Sequence, residues 1–252
     1  MDCHLRLNTI STYMRMLRCI YNRGVDMHQT PYVHRMFRDV FTGIDTRQKK
    51  AIPINELHTL LNEDPQSDKL RRTQAIANLL FLFCGMPFVD LAYLEKSNLE
   101  GNMLKYNRAK TGIPMNVEIL DSAATIISQL RNKHTTVLPE HPDYLFYILS
   151  GKNKRSDEAG YKEYQSALRC FNNDLKSLAR KLCIRSSVTS YTFRHSWATT
   201  AKYRGVPIEM ISESLGHKSI KTTQIYLKGF ELSERTKVNR LNYSYVMNFK
   251  TI

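Results

Sequence analysis

Acidic side chains are scarce in this sequence: 23 Asp and Glu stand against 37 Lys and Arg over 252 residues, a formal net charge of +14. That excess argues against a basic partner and for a polyanionic one, most often nucleic acid. Long apolar runs are missing too. No stretch approaches the ~20 apolar residues that a bilayer span needs, and the opening MDCHLRLNTI has no signal-peptide core. Membrane and secreted readings are therefore excluded, and a cytoplasmic location is expected. Cysteine is sparse and odd in number. Cys3, Cys19, Cys84, Cys170 and Cys183 are widely spaced with no CxxC pair, which excludes a disulfide framework and a zinc site and leaves thiols in a reducing compartment. There is no internal repeat and no low-complexity tract.

The length suits one large domain, or one of roughly 150–200 residues with a smaller piece, and such a chain builds a core without staples. The positive charge is spread unevenly. From Leu175 to Ile208 there is no acid, while Lys176, Arg180, Lys181, Arg185, Arg194, Lys202 and Arg204 all fall there. That stretch is the best candidate for a phosphate-facing surface.

Helical periodicity dominates the chain. Ile10, Tyr13, Leu17, Ile20 and Tyr21 predict an amphipathic helix over 9–22, stopped by Gly24. The polar, basic segment TGIDTRQKKAIP, ending in Pro53, reads as a linker. Beyond it Asn55 can cap a short helix carrying Leu57, Leu60 and Leu61. A very apolar helix over 68–84 is closed by Gly85, and Pro87 suits the first turn of the next. The period then changes: Met115, Val117 and Ile119 alternate with Asn116 and Glu118. With MLKYNR before AKTG, this predicts a β-hairpin whose turn carries Lys110. Helices resume at 121–132, 161–182, 190–204, 207–215 and 219–227, the last capped by Ser219. The fold class is mainly α with a small antiparallel β-sheet.

Two segments stand out, TSYTFRHSWATTA (189–201) and LGHKSIKTTQIYLK (215–228). The second sets His217 in a turn after Gly216 and Tyr226 roughly two turns into the following helix. In order and spacing this resembles the tyrosine recombinase (phage integrase) family, in which a His/Arg-rich helix is followed by LGHxS and then TTxxY. The texture is that of the branch found on bacterial integrative and conjugative elements. The resemblance covers most of 53–229. It implies the family's catalytic-domain fold over 53–229, a partial helical core-binding segment over 1–50 matching that domain's last two helices, and a tail over 230–252. In the family such tails dock on a neighbouring subunit of a tetrameric synapse, and Val238, Leu241 and Tyr245 are spaced to share one helical face.

Carried over residue by residue, Tyr226 matches the nucleophile, Arg194 the second-motif arginine, His217 the histidine that donates to the phosphate, and Lys110 the general acid. The residue types suit the reaction. A phenol with an ordinary pKa near 10 needs cationic neighbours to attack at neutral pH. A guanidinium gives a phosphate two parallel hydrogen bonds, and the departing 5′-oxygen takes a proton from lysine. Because a phosphotyrosine stores the energy of the broken bond, the resemblance implies no cofactor and no metal. Tyr191 stands three residues before Arg194, where the family usually has His; its phenol can donate to phosphate but shuttles protons less well near pH 7. The first motif departs further. Pro87 occupies the position of its arginine, with Arg71 and Arg72 the candidates to replace it.

His195 and Trp197 read as packing residues of their helix, and Lys152, Lys154 and Arg155 as a solvated loop. The reading that results is a site-specific recombinase of double-stranded DNA, a homo-oligomer on its substrate, that cleaves through a 3′-phosphotyrosine. Its rivals are a catalytically impaired DNA-binding protein of the same fold and a type IB topoisomerase-like enzyme.

Overall fold

The computed structural model describes residues 5–43, 51–131, 143–153, 155–227 and 232–247, excepting the side chains of Ile225, Tyr226, 232–235 and Tyr245. The chain divides into two compact units, Met1–Gln48 and Lys49–Ile252.

In the first unit helix α1 spans Leu7–Asp26. It runs through Gly24 and ends instead at Met27, whose amide donates to the Arg23 carbonyl while the His28 amide donates to that of Val25, so a single glycine costing about 1 kcal/mol does not break a helix this long. A second helix was expected here, but the described residues after α1 form turns. They are pinned by the Ser11 hydroxyl on the Gly43 carbonyl (2.6 Å) and by Tyr21, whose Oη donates to Pro31 O (2.9 Å) and accepts from Val33 N (2.6 Å).

The second unit is built round α3 (Asp68–Leu82), which packs against α2 (Ile54–Asn62), α5 (Asp121–Leu130), α6 (Glu158–Lys181) and α7 (Thr192–Tyr203). Pro53, not Asn55, is the N-cap of α2, and having no N–H it brings one unpaired donor fewer to that helix end. Leu57, Leu60, Ile76, Leu79, Leu80, Phe83, Leu175, Leu178 and Phe193 form the buried centre. The short helix α4 (Phe88–Ala92) follows Pro87 and stacks Phe88 on Phe171, centroids 4.7 Å apart.

Strands β1 (Leu99–Glu100), β2 (Met103–Asn107) and β3 (Pro114–Glu118) make one antiparallel sheet in that order. Leu104 pairs with Val117 and Tyr106 with Met115, so alternate residues of β3 enter the core. Tyr144–Phe146, buried, form isolated bridges to Glu95 and Arg131. Arg155 is not simply solvated: its guanidinium lies 4.6 Å over the Tyr93 ring; Lys154 lies outside the described residues.

Helices α8 (Ile208–Ser214) and α9 (Ile220–Tyr226) complete this unit's compact part, with Ala198, Ile211 and Leu215 as a small second core joined by Trp197. Ser219 caps α9 by accepting from the Lys221 amide. Helix α10 covers Leu232–Met247, with Val238 and Leu241 exposed. Among the described residues no helix is long and apolar enough to cross a membrane.

Candidate active site

The turn between α8 and α9 is the hub. After α8, Gly216 adopts a left-handed φ of +63°, and the His217 amide returns to the Ser212 carbonyl at 3.0 Å. That reversal turns the Leu215 and Gly216 carbonyls toward the β2–β3 hairpin and toward α7.

Arg194 reaches this hub from α7, 1% exposed. Its Nη1 donates to the Gly85 carbonyl at 3.0 Å, its Nη2 donates to the Leu215 carbonyl, and Nη2 lies 3.1 Å from His217 Nε2. Close approach of α3's end is required, because a Cβ on Gly85, itself at φ +67°, would lie 2.9 Å from Arg194 Cα. Burial, and then the nearby Arg108, lower the Arg194 pKa to about 10, so it stays cationic at neutral pH.

A guanidinium has donors only, so His217 Nε2 accepts from Arg194. Burial, then Arg194, Arg108 and Lys110, push the His217 pKa down to about 4. The ring is therefore neutral at pH 7, its proton lies on Nδ1, and Nδ1 donates to Thr223 Oγ1 at 2.8 Å.

The hairpin brings a second guanidinium. Arg108, just past β2, is as buried as His195, at 5% exposure. Its Nη1 is ion-paired with the fully buried Asp90 carboxylate of α4, and its Nε donates to the Leu215 carbonyl at 3.4 Å. The other Asp90 oxygen accepts from the Ala109 amide at 2.9 Å, and Thr111 Oγ1 donates to the Gly216 carbonyl at 3.2 Å. Lys110, exposed at the turn, thus sits between residues anchored to the hub. Between β3 and α8 a cavity of about 660 Å³ opens beside His217, lined also by Cys84, Met115 and Glu213.

Of the residues singled out in the sequence, Arg194 and His217 are in contact and Lys110 is near enough to depress His217. Tyr191 is the N-cap of α7, 37% exposed, its ring edge-on to His195 at 5.2 Å. Tyr226 ends α9; its side chain lies outside the described residues. Pro87 is the N-cap of α4. Arg71 and Arg72 do not substitute for an arginine there. They sit at the N-terminal end of α3, opposite Gly85, where Arg71 pairs with Asp64 and Asp68 and Arg72 donates to the Tyr147 carbonyl. The guanidinium beside Arg194 is Arg108, which sequence reasoning missed along with Asp90 and Thr223. One signal was available: Asp90 is the only charged residue in FLFCGMPFVDLAYL, and an acid within so apolar a run calls for a buried basic partner.

The sequence model of the phage integrase family matches residues 50–231, which takes in the hairpin, the hub and α9. The chain belongs to the phage integrase family. Among its relatives, the tyrosine recombinase XerA of Pyrococcus furiosus is 30% identical over 195 residues, 77% of this chain and 62% of that protein. The tyrosine recombinase XerD of Listeria monocytogenes is 24% identical over 226 residues, 86% of this chain and 70% of that one. The chain thus spans about three fifths of the length of XerA. The mainly helical phage integrase fold with its small sheet recurs in the XerH site-specific recombinase bound to a palindromic difH substrate, with a TM-score of 0.64, 16% identity, and coverage of 97% of this chain and 69% of that one.

Proposed function

We propose that this phage integrase family member is a site-specific recombinase that breaks and rejoins double-stranded DNA through a 3′-phosphotyrosine on Tyr226. The observation that carries the reading is the convergence of Arg194, Arg108 and His217 on the turn that launches α9, the helix that Tyr226 ends. Two buried guanidiniums facing one carboxylate leave a net positive charge in a poorly solvated site, and such a site favours an anion whose charge grows in the transition state.

In this scheme the Tyr226 hydroxyl gives its proton to water and its oxygen attacks phosphorus. The bond to the 5′-oxygen breaks, and Lys110 protonates that oxygen as it leaves. Arg194 grips the non-bridging oxygens, with Arg108 supplying the guanidinium that Pro87 cannot, and His217 and Tyr191 add hydrogen bonds. A 5′-hydroxyl from a partner duplex then reverses the steps, so no cofactor or metal enters. The acid-free surface from Leu175 to Ile208 meets the DNA backbone, and α10 links copies of the chain in a tetrameric synapse. The three parts are a helical core-binding-like piece over 1–50, the catalytic domain over 53–229 and the tail over 230–252. The setting is the cytoplasm, and the branch is that of bacterial integrative and conjugative elements, which the texture of the sequence motifs resembles.

The test is a duplex selected from a random pool by retention on the protein, then nicked beside the cleavage point so that the cleaved end diffuses away. A protein–DNA adduct that survives boiling in detergent and vanishes in Tyr226→Phe is expected. DNA that is shifted in a gel but never covalently attached overturns the reading.

A further inference from the structure

His217 stands between two partners, of which one can only donate and fixes its protonation pattern. On one side Arg194 Nη2, which can only donate, lies 3.1 Å from Nε2. On the other, Thr223 Oγ1 lies 2.8 Å from Nδ1. The ring carries its proton on Nδ1, which makes Nε2 an acceptor. A phosphate oxygen is also an acceptor. For Nε2 to donate to one, the ring must carry its proton on the other nitrogen.

A hydroxyl is a partner that tolerates either pattern, because it both donates and accepts by rotating about its C–O bond. We infer that Thr223 is a positioning residue for His217, a reversible hydrogen-bond partner that accepts from Nδ1 while Nε2 is engaged by Arg194 and donates to Nδ1 once Nε2 carries the proton. This deepens the recombinase reading and rests on it. The exchange balances: one proton is gained at Nε2 and one is given up at Nδ1, both traded with water, so the ring begins and ends neutral.

The fold supports a polar task for this side chain. Thr223 is fully buried in α9, one turn before Tyr226, and its hydroxyl points at the imidazole rather than outward. Its backbone carbonyl closes the helix by accepting from the Leu227 amide at 3.0 Å. The same residue thus ties the His217 ring to the helix that carries the phenol, so that ring orientation and nucleophile position are set together.

The experiment uses Thr223→Val, which keeps the shape, and Thr223→Ser, which keeps the hydroxyl. The first readout is nitrogen NMR of the full chain labelled at histidine, with His217 identified by its loss in His217→Asn. Wild type and Thr223→Ser are expected to show the Nδ1–H pattern with a hydrogen-bonded, slowly exchanging Nδ1 proton, and Thr223→Val the same pattern with that proton exchanging rapidly with water. The second is the single-turnover rate of adduct formation at saturating nicked duplex. Thr223→Val is expected to fall 10- to 100-fold with its gel-shift affinity unchanged, and Thr223→Ser to stay within threefold of wild type. A residue that merely packs would tolerate valine, so a wild-type rate in Thr223→Val overturns the inference. So does an Nε2–H pattern in the wild-type chain, or an Nδ1 proton that exchanges no faster in Thr223→Val than in wild type. Absence of any wild-type adduct would instead strike the strand-cleavage reading, with the histidine NMR still deciding the role of Thr223.

Discussion

Arg108 and Arg194 donate to the same carbonyl oxygen, that of Leu215. One guanidinium arrives on the hairpin and the other on α7, and the peptide they share belongs to the turn that aims His217. Two like charges so close repel one another, which is why Arg108 contributes to depressing both Arg194 and His217. The cluster holds because Asp90 neutralises Arg108 from the far side and because backbone carbonyls of Gly85 and Leu215 absorb the donors.

The Asp90–Arg108 pair is buried on both sides, with side-chain exposures of 0% and 5%. Removing one partner strands the other's charge, at a cost of about 3–5 kcal/mol. Arg108→Ala should therefore lower the urea midpoint sharply, and Asp90→Ala should do the same. Arg108→Lys, which keeps the charge, is expected to fold but to form adduct ~100- to 1,000-fold more slowly, the scale for loss of one preorganised donor. Nearly unchanged cleavage in Arg108→Lys would remove Arg108 from the phosphate site.

Much of this architecture was legible in the chain. The switch from a 3.6-residue to a two-residue period located the hairpin, and the apolar stripes located α3, α5 and α6, because burial of one face is written directly into local spacing. That Arg194 and His217 would share a site, and that Lys110 would stand at the hairpin turn, was legible because they sit in short contiguous motifs. Arg108 was not. Nothing local separates a buried arginine from a solvated one, and only the chain reversal at Gly216 and the approach of α4 bring Asp90 and Leu215 to it. Thr223 was visible as part of TTQIY, but its tie to a ring six residues back depends on how the turn bends. Gly24 and Asn55 misled for the opposite reason: local stop and cap signals gave way to a helix that continued and to a proline that began one.

Gly85 should not tolerate a side chain. Its φ of +67° costs an L-residue about 1–2 kcal/mol, and a Cβ there would approach Arg194 Cα to 2.9 Å, where backbone cannot yield. Gly85→Ala is expected to lose more than about 2 kcal/mol in urea unfolding and to slow adduct formation by displacing Arg194. Gly101→Ala is the control: it shares a positive φ of +60° but meets nothing within 4 Å, so its loss should stay within the conformational cost alone.

Acid should unfold the protein partly through His217. Its folded pKa, about 4, lies below the ordinary value of about 6.5, so between these values the unfolded chain binds a proton that the folded chain refuses. Stability contributed by the neutral ring is fully present above pH 6.5 and is lost as pH falls toward 4. Urea midpoints measured from pH 7.5 to 4.5 should fall less steeply in His217→Asn than in wild type. Equal slopes would mean that the ring takes up its proton in the folded protein as readily as in the unfolded one.

The role of Lys110 is separable from its charge by changing the leaving group. If Lys110 delivers a proton to the departing 5′-oxygen, Lys110→Ala should slow adduct formation ~100- to 10,000-fold on an ordinary duplex, the usual range for a general acid. Replacing that bridging oxygen with sulfur makes a leaving group that departs as a thiolate and needs no proton. On the sulfur-bridged duplex Lys110→Ala should then react nearly as fast as wild type. His217→Asn, which disturbs contacts at the phosphate rather than at the leaving atom, should stay slow on both substrates. An equal deficit of Lys110→Ala on oxygen and sulfur would assign the lysine to binding the phosphate and would send the search for the acid to another residue of the hairpin.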